Sequence, residues 1–442
     1  VLIEVCGVDC AFMANLRRNS VAASRATVAA TLLWALAWTG EHSAATLAQT
    51  QVVGDVVFRG VRGVDVAEQA IGAVLSVSLA GVEVRDLAAP DGVERGRMLS
   101  WDRVALVQGE HASEAQAYSD IATDAWRARV RMERGDLAGA EPLLEQLFVR
   151  YRGQQGPTAA MVASGLLRCR LQRQAQSAAV EAWLALMASE QPEVKFDSTR
   201  QDDDVTPTPV LDENWGLAPQ LPPIWVRGPA LRVVLGAIVG EGEASNRAGR
   251  LARLYRVSAA VDAGDVSDAD AIVKTLGERP SGDQGLELVW DVVASRIASG
   301  AQREAAIAGL RARLTHRSGD VEPLPGWVEA WTRVALGRAM LVRGAPASDE
   351  ASRLTQDDAR NLGIVQLLHV PARLEGVSPY LAGLALAEVG AALDEDGQTE
   401  AAGRVRRMFF ERYSGHPAQS MLMNSRAALD ATTGVLTTGG AK

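Results

Sequence analysis

The chain has 442 residues, 48% hydrophobic and 22% charged, with a formal net charge of −9. This is the make-up of a folded globular protein long enough for two or three domains, not of a disordered one. An acidic chain with no long basic run lacks the positive surface that neutralises phosphates, so no nucleic-acid partner is expected.

The N-terminal segment reads as an address. Residues 1–12 are taken as an upstream extension, with Met13 as the start. Arg17, Arg18 and Arg25 form a positive region, and Ala26 to Trp38 is an apolar run of 13 residues closed by Gly40-Glu41. Small residues follow, with cleavage expected after Ala45 or after Ala48. That is the layout of a secretory signal peptide, so residues 1–48 are extension and signal. The apolar run is short of the ~20 residues a permanent spanning helix needs, although an uncleaved anchor is the alternative. Asn19-Ser20 after the arginine pair favours ordinary export over the twin-arginine route. No other segment is apolar enough to span a membrane. The mature chain is therefore expected to be soluble, in the periplasm or outside the cell. Of the three cysteines, Cys6 and Cys10 precede Met13, so the mature chain keeps only Cys169 and no internal disulfide is possible. Cys169, in GLLRCRL, reads as a small core residue.

Residues 51–109 form a β-rich module. VVFRG (56–60), VLSVSL (74–79), VEVRDL (82–87) and MLSWDRVALV (98–107) are short, β-branched and partly alternating, with glycines between them. In 74–79 the alternation places Leu75, Val77 and Leu79 on one face and Ser76 and Ser78 on the other. Such strands suit a small antiparallel barrel or roll. The pattern resembles the short SH3-like or Sm-like barrels at the front of bacterial envelope proteins, and Trp101 reads as its core aromatic.

From His111 the period becomes helical, over 111–190 and again over 230–430. A glycine or small residue, a short polar link and an alanine-rich helix recur at 135–144, 175–184, 264–273, 300–309, 344–353 and 396–417. Irregular spacings of roughly 35–55 residues indicate tandem helical hairpins, each burying one face on the next. In the last, Ala401, Val405, Met408 and Phe409 are expected on one face. Gly135, Gly264 and Gly300 at the inter-helix turns, with Ala140, Ala269 and Ala305 five residues on, resemble the tetratricopeptide repeat (TPR) family. In that family the alanine is the point of close helix packing. Departures are plain: the first-helix Trp-x-x-Leu-Gly-x-x-Tyr signature is absent, and Pro142 sits inside the second helix of the first copy. The expected fold is thus mainly α, a TPR-like α-hairpin array (α-solenoid) after a small antiparallel β-barrel or roll. Residues 431–442 read as a disordered tail.

Between the helical stretches, 191–229 is rich in proline and acids. Loops this long inside a compact array are functional or disordered. Trp215, Leu217, Leu221, Ile224 and Trp225 give its second half something to bury, so 217–226 is expected to pack on the repeats. The expected contacts to such a groove are Trp215, Pro222, Pro223 and Trp225. Pro219-x-x-Pro222 reads as an ordinary feature of a proline-rich loop. Asp202-Asp203-Asp204 lacks the alternating spacing of a calcium loop and reads as solvated.

Chemistry is sparse. Gly240-Glu241-Gly242 has serine at the third glycine position and an acid where pyrophosphate would sit, so it does not signal a nucleotide site. His111, His316, His369 and His416 are scattered without metal-ligand spacing, and no nucleophile elbow or phosphate-binding loop occurs. His416, in RYSGHPA, reads as the stop of the last hairpin. No catalytic residue, metal or cofactor is expected. The TPR-like resemblance implies a non-catalytic scaffold of the envelope that binds a protein or peptide. The alternative is an exported polysaccharide-processing enzyme resembling the toroidal lyases, which would gather His, Tyr and Arg in a cleft.

Overall fold

The computed structural model describes residues 56–58, 69–70, 72–86, 96–189, 210–226, 230–238, 246–264, 271, 274, 278–297, 300–315, 323–341 and 356–423. The signal-like segment, the aspartate run, Gly240-Glu241-Gly242, Ala269, His316, the Gly344 turn and the C-terminal tail lie outside the described residues.

The module at the front holds two three-stranded antiparallel sheets. In one, β1 (Val56–Phe58) lies between β2 (Gln69–Ala70) and β6 (Val104–Val107). In the other, β4 (Gly81–Asp86) lies between β3 (Gly72–Ser78) and β5 (Gly96–Leu99). The run 98–107, which reads as one strand, is cut by a single 3-10 turn at Trp101–Arg103, and the chain there passes from one sheet to the other. Trp101 holds this corner. It is 1% exposed, its indole N–H donates to the Ser78 carbonyl at 3.0 Å, and its ring stacks on Tyr118 at 5.1 Å. In β3 a bulge between Val74 and Ser76 breaks the expected alternation. Val74 is buried in place of Leu75, while Val77 and Leu79 do pack on the core.

The helices follow in chain order: α1 (Ala112–Gln116), α2 (Ser119–Glu133), α3 (Leu137–Tyr151), α4 (Pro157–Gln172), α5 (Gln176–Ala188), α6 (Ala230–Ala237) and α7 (Arg247–Ala263). Then come α8 (Gln284–Ile297), α9 (Ala301–Thr315), α10 (Gly326–Leu341), α11 (Gln356–Arg373), α12 (Pro379–Glu395) and α13 (Thr399–Arg412). From α2 onward each helix packs on the next. The β-module is fastened to α3 and α4. Tyr151 donates to the Leu79 carbonyl at 2.9 Å, and Thr158 donates to Ala80 O at 2.7 Å while accepting the Trp101 amide at 3.0 Å. Beside it, buried Asp102 accepts from Arg129 at 2.7 Å, which also holds Glu133 at 2.9 Å.

Three inter-helix turns share one geometry. A residue with left-handed backbone donates to the carbonyl three positions back, and the next residue donates to the carbonyl five back. This happens at Gly135-Asp136, at Gln174-Ala175 and at Gly397-Gln398. Five residues after each left-handed position sits an alanine that is 0% exposed: Ala140, Ala179 and Ala402. A larger side chain there would hold the paired helices apart. At Gly300 the rule shifts. Helix α9 begins directly at Ala301. Ala305, the expected packing point, is exposed, and Ala306 is buried in its place. In α13 Ala401, Val405 and Phe409 pack on the core as expected, together with Ala402, while Met408, expected on that face, is 42% exposed.

Gln174 is the one non-glycine residue with positive φ, 58°, among the described residues. Its Cβ crowds the following carbonyl. Gln174→Gly is therefore expected to stabilise the chain by about 0.5–1 kcal/mol, and Gly397→Gln to destabilise it by about 1 kcal/mol. Urea denaturation of both variants checks the pair. Loss of stability in Gln174→Gly would mean that the glutamine side chain more than offsets its backbone strain.

Candidate functional site

Residues 210–226 pack against the helices as an irregular segment with turns at 213–216 and 219–220. Proline fixes φ and has no N–H, so Pro219, Pro222 and Pro223 preclude both a helix and a regular ladder. The segment is nonetheless buried: Leu217, Ala218, Leu221 and Ile224 are 0% exposed and Trp225 3%. Buried carbonyls need donors, and helix side chains supply them. Trp331 donates to Pro219 O at 3.1 Å, Tyr255 to Leu221 O, Ser258 to Pro223 O, Tyr380 to Ile224 O at 3.3 Å and Arg338 to Trp225 O at 3.1 Å. At the entry, Arg247 holds the Trp215 and Gly216 carbonyls, each at 2.7 Å, and pairs with Asp283 at 2.7 Å. Asp212 accepts from the Trp327 indole at 3.0 Å. Gly285 allows the close approach, since a Cβ there would collide with the Trp215 carbonyl.

Under Trp225 lies a buried ionic cluster. The Trp225 amide donates to Asp262 at 3.1 Å, and Asp262 also receives Arg296 and, at 3.5 Å, Arg338. Arg338 meets Glu388 at 2.5 Å. Burial alone would raise the Asp262 pKa. The two guanidinium groups and the Trp225 N–H outweigh it and hold the carboxyl below its ordinary value. Burial, then the neighbouring Arg338, lowers the pKa of Arg296.

The proline segment also borders a cleft of about 880 Å³, lined among others by Gln174, Gln176, Gln220, Tyr380, Tyr413 and His416. The cleft brings together His, Tyr and Arg, with Arg412 at its edge. Their chemistry is largely committed. His416 Nδ1 accepts from the Ala418 N–H at 3.0 Å, so Nε2 carries the proton and donates to the Tyr380 carbonyl at 3.0 Å. Burial lowers the imidazole pKa to about 4. Tyr380 donates to Ile224, and burial raises the pKa of both Tyr380 and Tyr413, so both phenols stay protonated. Arg412 pairs with Glu375 at 3.3 Å. No group in this set is both free and near its ordinary pKa for proton transfer at neutral pH.

The structure brings Pro222, Pro223 and Trp225 together in the filled groove. Trp215 stands at its entry, edge-on to Trp327 at 5.6 Å. Pro219 and Pro222 are buried and so are not a free recognition motif. Gly135 and Ala140 sit at a turn and its packing point, whereas Gly264 has φ 88° at the end of α7. Cys169 is a buried free thiol whose pKa burial raises to about 12. The groups that grip the segment, Tyr255, Ser258, Asp262, Trp331 and Arg338, carry no motif. Asp262, an acid inside the apolar run VSAAVDAG, is the one visible signal. Among the described residues no group of three or more His, Cys, Asp or Glu is placed to hold a metal ion. Nor is any helix among them long and apolar enough to cross a membrane.

Removing Arg338 would leave Asp262 and Glu388 buried with one fewer countercharge, so Arg338→Leu is expected to cost about 3–5 kcal/mol. Urea unfolding followed by Trp fluorescence measures it. For His416 the folded pKa lies below the ordinary 6.5, so the folded state resists protonation. Stability is full above that value and falls as pH drops, because the unfolded chain takes up the proton first. About 2 kcal/mol is expected to be lost between pH 6.5 and 5 through this group. His416→Gln should flatten that slope, and an unchanged slope would assign it elsewhere.

No protein-family model, curated protein or solved structure matches this chain.

Proposed function

We propose that the protein is an exported, non-catalytic scaffold of the bacterial envelope. Its TPR-like helical surface binds a protein or peptide partner, and its SH3- or Sm-like module is fastened to the first hairpins. The observation that carries this reading is the filled groove. Side chains from α7, α10 and α12 hold five main-chain carbonyls of a proline-rich segment, and a surface built to read backbone in this way suits polypeptide. The signal-like N-terminus supports export, followed by a soluble life after cleavage.

The second reading, a polysaccharide-processing enzyme, draws on the cleft that gathers Tyr380, Tyr413, Arg412 and His416. Against it stands the engagement of both His416 ring nitrogens by the main chain.

Affinity capture from envelope extracts with the purified mature chain tests the choice. A saturable, stoichiometric protein partner that rebinds as a purified protein is expected, with polysaccharides left uncut in parallel incubations. Release of new sugar ends without any partner would overturn the scaffold reading.

A further inference from the structure

The last described residues, 416–423, fold back on α12 as a turn at 417–418 and a helical piece at 419–423. The Gln419 amide donates to His416 O at 2.9 Å, and the Met421 amide to Ala418 O at 3.0 Å. His416, Ala418 and Leu422 are buried. Two glycines inside α12 seat this piece. A Cβ on Gly383 would stand 2.8 Å from the His416 ring, and one on Gly390 would stand 3.0 Å from Leu422. Glycine weakens a helix interior, so two of them on one face, about two turns apart, mark a close fit.

His416 fastens the piece through two bonds that need a neutral ring. Nε2 donates to the Tyr380 carbonyl of α12, and Nδ1 accepts the Ala418 amide, each at 3.0 Å. A second proton would go to Nδ1. It would set a donor against the Ala418 N–H and leave that buried amide without an acceptor. The groups that face the ring do not offset this. Tyr380 of α12, Phe409 of α13 and Tyr413 just beyond it meet the imidazole at ring-centroid distances of 5.3, 5.9 and 6.3 Å. Of the charged side chains bordering the same cleft, Glu375 pairs with Arg412 at 3.3 Å, and Asp212 holds the Trp327 indole. Among the described residues, no carboxylate hydrogen-bonds the imidazole to steady its charged form.

We infer that residues 416–423 are an acid-sensitive latch: protonation of His416 breaks its bond to Ala418 and frees the piece from α12 while the helices stay folded. Leu422 then leaves its seat at Gly390. Met421 is withdrawn from the pocket of about 270 Å³ where Arg296, Arg338, Arg360 and Glu388 meet, which opens that pocket to solvent. The latch belongs to the fold and is independent of whether the chain serves as scaffold or enzyme.

Hydrogen exchange of the full chain, read by mass spectrometry at pH 7 and pH 5 and corrected for intrinsic rates, tests the latch. The ring's pKa is lowered to about 4 in its seat and returns to the ordinary 6.5 on release, so closure is favoured at high pH and weakens as pH falls. Protection of amides 418–422 should therefore drop about twentyfold between pH 7 and pH 5, and no faster than about tenfold per pH unit, the limit for one proton. These amides should also be at least about tenfold less protected than those of α10 at both pH values, because they open without the rest of the chain. His416→Gln keeps an acceptor and a donor but has no proton to gain, so protection at 418–422 should stay within about twofold across the same range. An undiminished protection in the parent at pH 5 would overturn the latch, as would a drop that survives in His416→Gln. A drop steeper than one proton allows would assign the effect to other groups and overturn it without any variant. Protection at 418–422 equal to that of α10 would mean that the piece opens only with the whole chain, and would overturn it too.

Discussion

The structure depends on one constraint: the carbonyls of a buried, proline-rich strand must be hydrogen-bonded, and neither helix nor sheet can do it. Pro219, Pro222 and Pro223 rule out the regular solutions. The Leu217 and Ala218 carbonyls are met by amides of the segment itself, and five more by side chains from three helices. An unmet buried carbonyl would cost about 1–3 kcal/mol, so five such contacts decide where α7, α10 and α12 stand relative to one another. The apolar side chains between them, Leu217, Leu221, Ile224 and Trp225, fill the space that this placement leaves.

Arginine does much of the remaining joinery. With only three lysines in the chain, the positive charge is almost wholly guanidinium. A planar fork donates to several acceptors at once, which an ammonium cannot match in fixed geometry. Arg303 reaches the carbonyls of Ser295 and Ala339, Arg360 those of Leu341 and Ala392, and Arg247 two carbonyls and a carboxylate. Asp291, fully buried, takes Arg279 and Arg313 together. These contacts tie one helix to the next through main-chain carbonyls and carboxylates.

Local signals in the sequence were dependable where local physics decides the outcome. The turn at Gly135, the buried Ala140 five residues on and the core position of Trp101 follow from backbone freedom and apolar spacing, whereas Gln174 holds one of the three shared turns without a glycine. The failures came where tertiary context acts. Ala305 is exposed and Ala306 buried, a one-residue shift that the glycine-to-alanine spacing does not reveal. Leu75 yields to Val74 because a bulge shifts the register, and such a slip leaves no trace in a pattern of alternating residues. That 217–226 would be buried was legible from its tryptophans and leucines. That Tyr255, Ser258 and Arg338 would hold it was not, because their partners lie far away in sequence and are main-chain atoms, which have no residue identity to read.

Distance along the chain gives the proline strand a further meaning. Trp331 and Pro219 are 112 positions apart, and Tyr380 and Ile224 are 156. A plain stack of hairpins holds only neighbour contacts, so its stability adds up unit by unit and its ends can be trimmed or extended. Here the strand makes late helices answer to an early link. Loss of α12 would strip a donor from the middle of the molecule, and a duplicated hairpin would move every later donor off its carbonyl. These two long-range bonds make the placement of late helices depend on an early link.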